Sequence, residues 1–210
     1  MNQNNGKNSL GLDKCFEEAN NPIELFKKWF AKAKETEIND PNAVAVATVD
    51  KTSQPSVRMV LLKGLTDKGF VFYTNFNSKK GKDLNKNKFA SMCCHWKSLR
   101  RQVRVVGEVT KVTDKEADEY YNSRAYGSRI SAWASSQSEH MKSRDIFLNK
   151  IEEFKKKYPD EKNVPRPPNW SGWRIHPQEV EFWVDGEFRI HERLSYKFKN
   201  NQWIKEILYP

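Results

Sequence analysis

Cations and hydroxyls recur in this 210-residue chain at spacings that suit the holding of anions. Arg58 and Lys63 bracket the apolar run Met59, Val60, Leu61, Leu62. A strand that apolar is expected inside a sheet, so cations at its ends either snorkel to water or meet an anion. Beyond it, Tyr73, Thr74 and Asn75 precede Ser78, Lys79 and Lys80 at an expected helix start. Hydroxyls, helix-end amides and ammonium groups converging there suit a phosphate; a hairpin with a solvated basic rim fits the same residues. Tyr120, Arg124 and Ser128 recur every four residues. If helical, they share one face and offer a phenol, a guanidinium and a hydroxyl to one anion; an ordinary helix C-terminus is the alternative. Arg189, His191 and Arg193 alternate after the turn signal Asp185-Gly186, which predicts all three on one strand face. That face needs an anion or water. Gln102 could bond a ring edge or mark an exposed strand face. Gln137 and Ser138 could cap a helix, with or without a ligand at its amides.

Other chemistries find no support. There is no Ser-His-Asp order, no Gly-rich nucleotide loop and no defensible pair of catalytic carboxylates. Such an inventory suits a bound cofactor that carries the reaction while the protein positions it. Cys15, Cys93 and Cys94 lack any zinc spacing, so no metal is expected, and adjacent Cys93 and Cys94 read as small hydrophobes on a strand. Lys and Arg number 37 against 27 Asp and Glu, a net charge of +10. That permits nucleic acid, anionic membrane or phosphorylated small molecules as partners. The lysines are scattered, which reads as solubility rather than a docking stripe. No apolar run is long enough for a membrane span, and the N-terminus lacks the apolar region of a signal peptide. A cytoplasmic protein is expected, with no membrane or nucleic-acid partner. A basic nucleic-acid-binding β-barrel is the rival from another class.

The elements that must position these groups follow from patterning. Residues 1–20 read as a mobile, Asn-rich tail and 21–210 as a single domain. Asn21-Pro22 opens a helix whose Ile23, Phe26, Trp29, Phe30 and Ala33 share a face. Strands are expected at 43–50, 56–63, 70–75, 89–96 and 101–112, with 56–63 and 70–75 forming a hairpin and Gly107 marking a bulge. Short connections between them argue an antiparallel barrel or sandwich. Helices follow, one capped at Thr113 or Asp114, one near 128–135 and one over 139–157. Strands return at 170–175, 179–183, 188–198 and 203–208 to complete the same barrel. The fold class is α+β.

Taken in order, RMVLLK (58–63), FYTN (72–75), SKKGK (78–82), RQVRVVG (101–107), YYNSR (120–124), QS (137–138), VPRPPNW (164–170) and EFWVDGEFRIHER (181–193) resemble the pyridoxine/pyridoxamine 5′-phosphate oxidase family. The resemblance covers about residues 22–210. It implies an FMN-binding split barrel, a Greek-key-like antiparallel barrel with flanking helices, working as a homodimer with FMN at the subunit interface. It implies oxidation of pyridoxamine or pyridoxine 5′-phosphate to pyridoxal 5′-phosphate, with dioxygen reoxidising the flavin to give hydrogen peroxide. FMN contacts carry over to Arg58, Met59, Val60, Leu61, Leu62, Lys63, Tyr73, Thr74, Lys79, Lys80, Gln102, Gln137, Ser138, Trp183 and Arg193. Substrate contacts carry over to Lys63, Tyr120, Arg124, Ser128, Arg189, Ile190 and His191, of which Arg189 and His191 would lie over the substrate ring as catalytic residues. Departures from the family pattern are Lys79 for a usual Arg, Arg129 for Gln, Ile190 for Leu, Glu192 for Asp, and Trp170-Ser171-Gly172-Trp173 for Trp-Gly-Gly-Tyr. A split-barrel flavoprotein with another substrate is the alternative within the same fold.

Overall fold

The computed structural model describes residues 7–210. Helix α1 (Pro22–Thr36) starts where Asn21 caps it, the Asn21 side chain accepting from the Ile23 amide at 2.9 Å. It buries Ile23, Leu25, Phe26, Trp29 and Ala33. The Phe26 ring meets Phe70 edge-on at 4.9 Å, and Trp29 meets Phe182 at 5.1 Å, so α1 closes one face of the sheet.

The expected mobile tail is corrected from residue 7 onward; residues 1–6 lie outside the described residues. Leu12, Phe16 and Ala19 are buried. Trp29 Nε1 donates to the Cys15 carbonyl at 2.7 Å, and the Tyr196 hydroxyl donates to the Ala19 carbonyl at 3.1 Å. An Asn-rich composition hid three apolar anchors with partners elsewhere in the chain.

Nine strands form one sheet among the described residues: β1 (Ala43–Val49), β2 (Pro55–Leu61), β3 (Gly64–Thr66), β4 (Gly69–Asn75), β5 (Phe89–Trp96), β6 (Arg101–Lys111), β7 (Trp170–Val184), β8 (Glu192–Lys199) and β9 (Gln202–Leu208). Every pairing is antiparallel. The order is β2-β1-β5-β6-β7-β4-β3, with β8 on β7 and β9 on β8. The two strands expected at 170–175 and 179–183 are one strand. On one side β7 follows β6 throughout; on the other it pairs with β4 over its first half and β8 over its second. That divided partnership splits the barrel. The β6–β7 register shifts between Val106 and Gly107, as the glycine predicts. A Cβ on Gly107 would lie 1.9 Å from the His176 carbonyl oxygen.

The expected hairpin of 56–63 with 70–75 does not form. β2 pairs with β1 instead, and β4 pairs with β3 and β7. β2 is therefore an edge strand, and its apolar residues are not inside the sheet: Val57 is 69% and Met59 63% exposed. Two apolar runs joined by turn residues mimic a hairpin, but the true partner of β2 is the preceding strand.

Helix α2 (Lys79–Lys86) is capped by Ser78, and α3 (Asp114–Asn122) by a capping box of Thr113 and Glu116. Helix α4 (Tyr126–Ala134) packs on α5 (Arg144–Lys157) through Trp133 and Phe154, whose rings are 5.6 Å apart. α5 starts at Arg144 rather than 139, with Ser143 in an extended conformation as its N-cap residue. None of the helices among the described residues is long and apolar enough to cross a membrane.

Candidate ligand site

A cavity of about 400 Å³ opens where β2, β4, α2, α4 and the start of β7 meet. Its aromatic side is a stack. The Tyr73 ring lies 4.0 Å from Tyr120 and 5.4 Å from Trp170, with interplanar angles of 22° and 8°. Arg124 sits over Trp170, its guanidinium carbon 4.8 Å from the ring centroid. The Arg124 Nη1 is buried without a hydrogen-bond partner among the described residues. Burial lowers the affinity of this guanidinium for its proton. A buried donor left free at a cavity wall is costly unless something binds there.

The opposite side holds a second cation. The Lys80 ammonium is buried and donates to Thr74 Oγ1 at 3.0 Å, Gln137 Oε1 at 3.1 Å and Ser78 Oγ at 3.4 Å. All three acceptors are neutral, and no carboxylate among the described residues pairs with it. Burial, then the charge of Arg58, push its pKa down from 10.5 to about 8. Arg58 reaches the same region from β2. Its guanidinium donates to Thr48 Oγ1 at 2.8 Å, to the Val46 and Ser56 carbonyls and to Ser56 Oγ, with Asp83 at 3.9 Å.

Several expected residues meet here: Met59, Val60, Leu61, Lys63, Tyr73, Thr74, Lys80, Tyr120, Arg124 and Gln137 line the cavity. Others do not. Leu62 turns its side chain into the core, and its amide donates to the Asn42 carbonyl at 2.8 Å. Lys79 points away to Asp83 at 3.4 Å and Asp50 at 3.7 Å, in a neighbouring depression that Ser138 shares. Tyr120, Arg124 and Ser128 are not on one helix, since α3 ends at Asn122 and α4 begins at Tyr126. Tyr120 and Arg124 still converge, but Ser128 is exposed and outside the lining, where Ser131 and Ser135 stand instead. Asn75, Ala132, Phe147 and Trp170 also line it. The i, i+4 pair Ser131 and Ser135 on an expected helix was the available signal. Arg129 is buried away from the cavity, tying α4 to the Glu161 carbonyl.

A second group lies on the far half of β7. Gln102 pairs with Trp183 and Trp183 with Arg193, across β6, β7 and β8. Arg193 Nε donates to buried Glu181 at 2.9 Å, and its Nη1 to the Tyr209 carbonyl at 2.8 Å. The expected strand face of Arg189, His191 and Arg193 is corrected. β8 begins at Glu192, and residues 187–189 form a 3₁₀ turn in which Phe188 (φ 54°) and Arg189 (φ 64°) are left-handed. Arg189 and Ile190 are exposed on this loop. His191 lies against Trp183, ring centroids 4.7 Å apart. None of Gln102, Trp183, Arg189, Ile190, His191 and Arg193 lines the cavity.

The donor set fits a phosphorylated, ring-bearing ligand: two cations short of counter-charge, hydroxyls between them, and a flat aromatic wall. Residues 30–158 match the family model described as pyridoxamine 5′-phosphate oxidase, and residues 170–210 match the pyridoxine 5′-phosphate oxidase C-terminal dimerisation region. A pyridoxine/pyridoxamine 5′-phosphate oxidase of Pelagibacter ubique is 59% identical over 98% of this chain and 100% of its own. That of Agrobacterium fabrum is 52% identical over 93% and 95%. Among solved structures, PhzG from Burkholderia lata in complex with tetrahydrophenazine-1-carboxylic acid is 28% identical, with a TM-score of 0.87 over 94% of this chain and 96% of that one. A pyridoxamine 5′-phosphate oxidase-related, FMN-binding protein of Nostoc punctiforme shares the fold, with a TM-score of 0.71 at 18% identity over 88% and 97%.

Proposed function

We propose that this chain, which belongs to the pyridoxine/pyridoxamine 5′-phosphate oxidase family, oxidises pyridoxamine and pyridoxine 5′-phosphate to pyridoxal 5′-phosphate. Dioxygen is the final electron acceptor and hydrogen peroxide the second product, in cytoplasmic vitamin B6 synthesis or salvage. Two features carry the reading: relatives of that name at 51–59% identity over 93–98% of the chain, and a cavity with cations at opposite sides of an aromatic wall.

FMN, when bound, supplies the hydride acceptor for the carbon being oxidised. Lys80 and Arg58 would hold its phosphate, assisted by Thr74 and Gln137. Lys80 is suited to this because only an arriving anion would give its ammonium a full counter-charge. The backbone of residues 59–61 forms the wall along the ring system. Arg124, Tyr120 and Lys63 hold the substrate phosphate, with the free Arg124 Nη1 as the donor awaiting it. Fixing both phosphates fixes the two rings relative to each other.

Arg189 and His191 orient the substrate ring and balance its charge. They lie outside the cavity of their own chain, so a partner chain has to bring them. The match of residues 170–210 to a dimerisation region supports a homodimer in which the loop of one chain covers the cavity of the other.

PhzG favours a second reading, an oxidase for a carboxylate-bearing ring, since Arg124 would take a carboxylate as readily as a phosphate. The 51–59% identity to named phosphate oxidases against 28% to PhzG favours the phosphate. Anaerobic titration of the yellow protein decides. Pyridoxamine 5′-phosphate should bleach the flavin band at micromolar concentration, and pyridoxamine should not. Failure to bleach with the phosphorylated substrate rejects the function.

A further inference from the structure

The loop between β7 and β8 contains a contact that no role above uses. Asp185 Oδ1 stands 3.1 Å from His191 Nδ1. The other oxygen of the same carboxylate receives Arg100 Nε at 2.9 Å and Arg100 Nη2 at 2.6 Å. Arg100 comes from the β5–β6 turn, where its own φ is 54°, and its carbonyl accepts the Asp185 amide at 3.0 Å. Asp185 is therefore held at backbone and side chain by one residue of a separate element. Arg100 also keeps its carboxyl below the usual carboxylate range. On the other side of the imidazole lies Trp183.

We propose that Asp185, gripped by Arg100, is a positioning residue that fixes the orientation of the His191 ring. This rests on the assignment of His191 to the chemistry. The geometry around Nδ1 gives the reason. The Gly186 amide also points at Nδ1, at 3.1 Å. One nitrogen cannot accept from an amide and donate to a carboxylate at once. The two contacts belong to two placements of the ring proton: Gly186 donates to a bare Nδ1, and an Nδ1–H donates to Asp185. The ring keeps one position in both, and Nε2 stays free to face a substrate. The charged groups on the surrounding elements are Glu187 and Arg189 of the loop, Glu192 and Arg193 at the head of β8, Arg100, and Lys7, which pairs with Glu192. Among the described residues, only Asp185 has a carboxylate within ion-pair reach of the imidazole.

The test uses the holoenzyme and three variants, Asp185→Asn, Asp185→Glu and His191→Ala. Both loop positions are solvent-accessible, so folding is checked simply by an unchanged melting temperature and flavin content. With ¹⁵N-labelled histidine, the His191 ring signals are assigned by their loss in H191A. In D185N the ring nitrogen signals should show loss of the Nδ1–H tautomer that a carboxylate partner favours, with and without FMN, and kcat should fall about tenfold with little change in KM. D185E should recover part of both. Unchanged ring nitrogen signals and unchanged kcat in D185N, beside an impaired H191A, overturn the proposal while leaving the role of His191 standing. Full turnover in H191A rejects that role and the proposal's catalytic half with it. The ring nitrogen signals of D185N then still decide the contact.

Discussion

At the residue scale, Lys80 carries the sharpest consequence. Its pKa of about 8 in the ligand-free fold, against an ordinary 10.5, has two effects of opposite sign. Between those values the unfolded chain binds more protons at this group than the folded one, so its contribution to the stability of the FMN-free protein rises with pH there. Binding goes the other way. A phosphate dianion favours the ammonium, so FMN affinity should fall as pH rises through about 8, roughly tenfold from pH 7 to 9. Flavin fluorescence quenching measures this, and Lys80→Met should bind weakly with a flat profile. A wild-type profile flat over the same range would remove Lys80 from the phosphate site. Arg124→Ala should separate the two anions. It removes a charge-assisted bond of about 1.5–3 kcal/mol, so substrate KM rises tenfold or more while FMN content holds. Equal loss of both counts against separate phosphate sites. Sequence made these two cations legible because hydroxyls and a phenol keep them company. It did not show that Lys79, one residue from Lys80, turns to Asp50 and Asp83. Successive helical side chains diverge by about 100°, and Lys79 is drawn to Asp83 one turn on and to Asp50, which is distant in sequence.

At the scale of elements, helices with caps were the most legible. Asn21-Pro22 and Thr113-x-x-Glu116 mark their starts by local hydrogen bonding alone. Pairing partners were less so. β2 and β4 read as a hairpin, because turn residues between apolar runs say nothing of which strand arrives on the other side. The alternation of Arg189, His191 and Arg193 misled for a different reason: two left-handed residues interrupt the strand. That loop is closed tightly at Gly186, where a Cβ would lie 1.9 Å from the Ile190 carbonyl oxygen. Gly186→Ala should therefore open the loop and lower kcat several-fold, with flavin content and melting temperature nearly unchanged. Wild-type kcat in that variant would show that the loop's shape is unimportant to turnover. The N-terminal segment makes the contrasting case. Phe16 is buried against Trp29, ring centroids 5.4 Å apart, so Phe16→Ala should cost about 3–4 kcal/mol in urea unfolding. A cost under 1 kcal/mol would return residues 7–20 to the status of a tail.

At the scale of the whole molecule, the site residues fall into two sets that one chain does not unite. The cavity set lies between Met59 and Trp170, and the loop set is Gln102, Trp183 and Arg189 to Arg193. Local sequence shows both sets but not their separation, since a chain carries no mark of which of its residues belong to a partner's site. Exposed apolar side chains accompany each: Val57, Met59 and Leu61 on β2, and Phe188 and Ile190 on the loop. Apolar groups of that size in water favour burial against another surface. A twofold dimer would bury both patches twice and complete two sites, each with a cavity from one chain and a loop from the other. The arrangement makes a quantitative demand. Assayed at substrate well below the raised KM, Arg124→Ala cripples the cavity and His191→Ala the loop, so each homodimer has two damaged sites. In a mixed dimer both lesions fall in the same site, and the other site is intact. Random mixing of equal amounts makes about half the dimers mixed, so about a quarter of wild-type activity should return. Unfolding and refolding the two variants together, against each refolded alone, measures it. If each chain built its own complete site, every site in the mixture would carry one lesion and no activity would return.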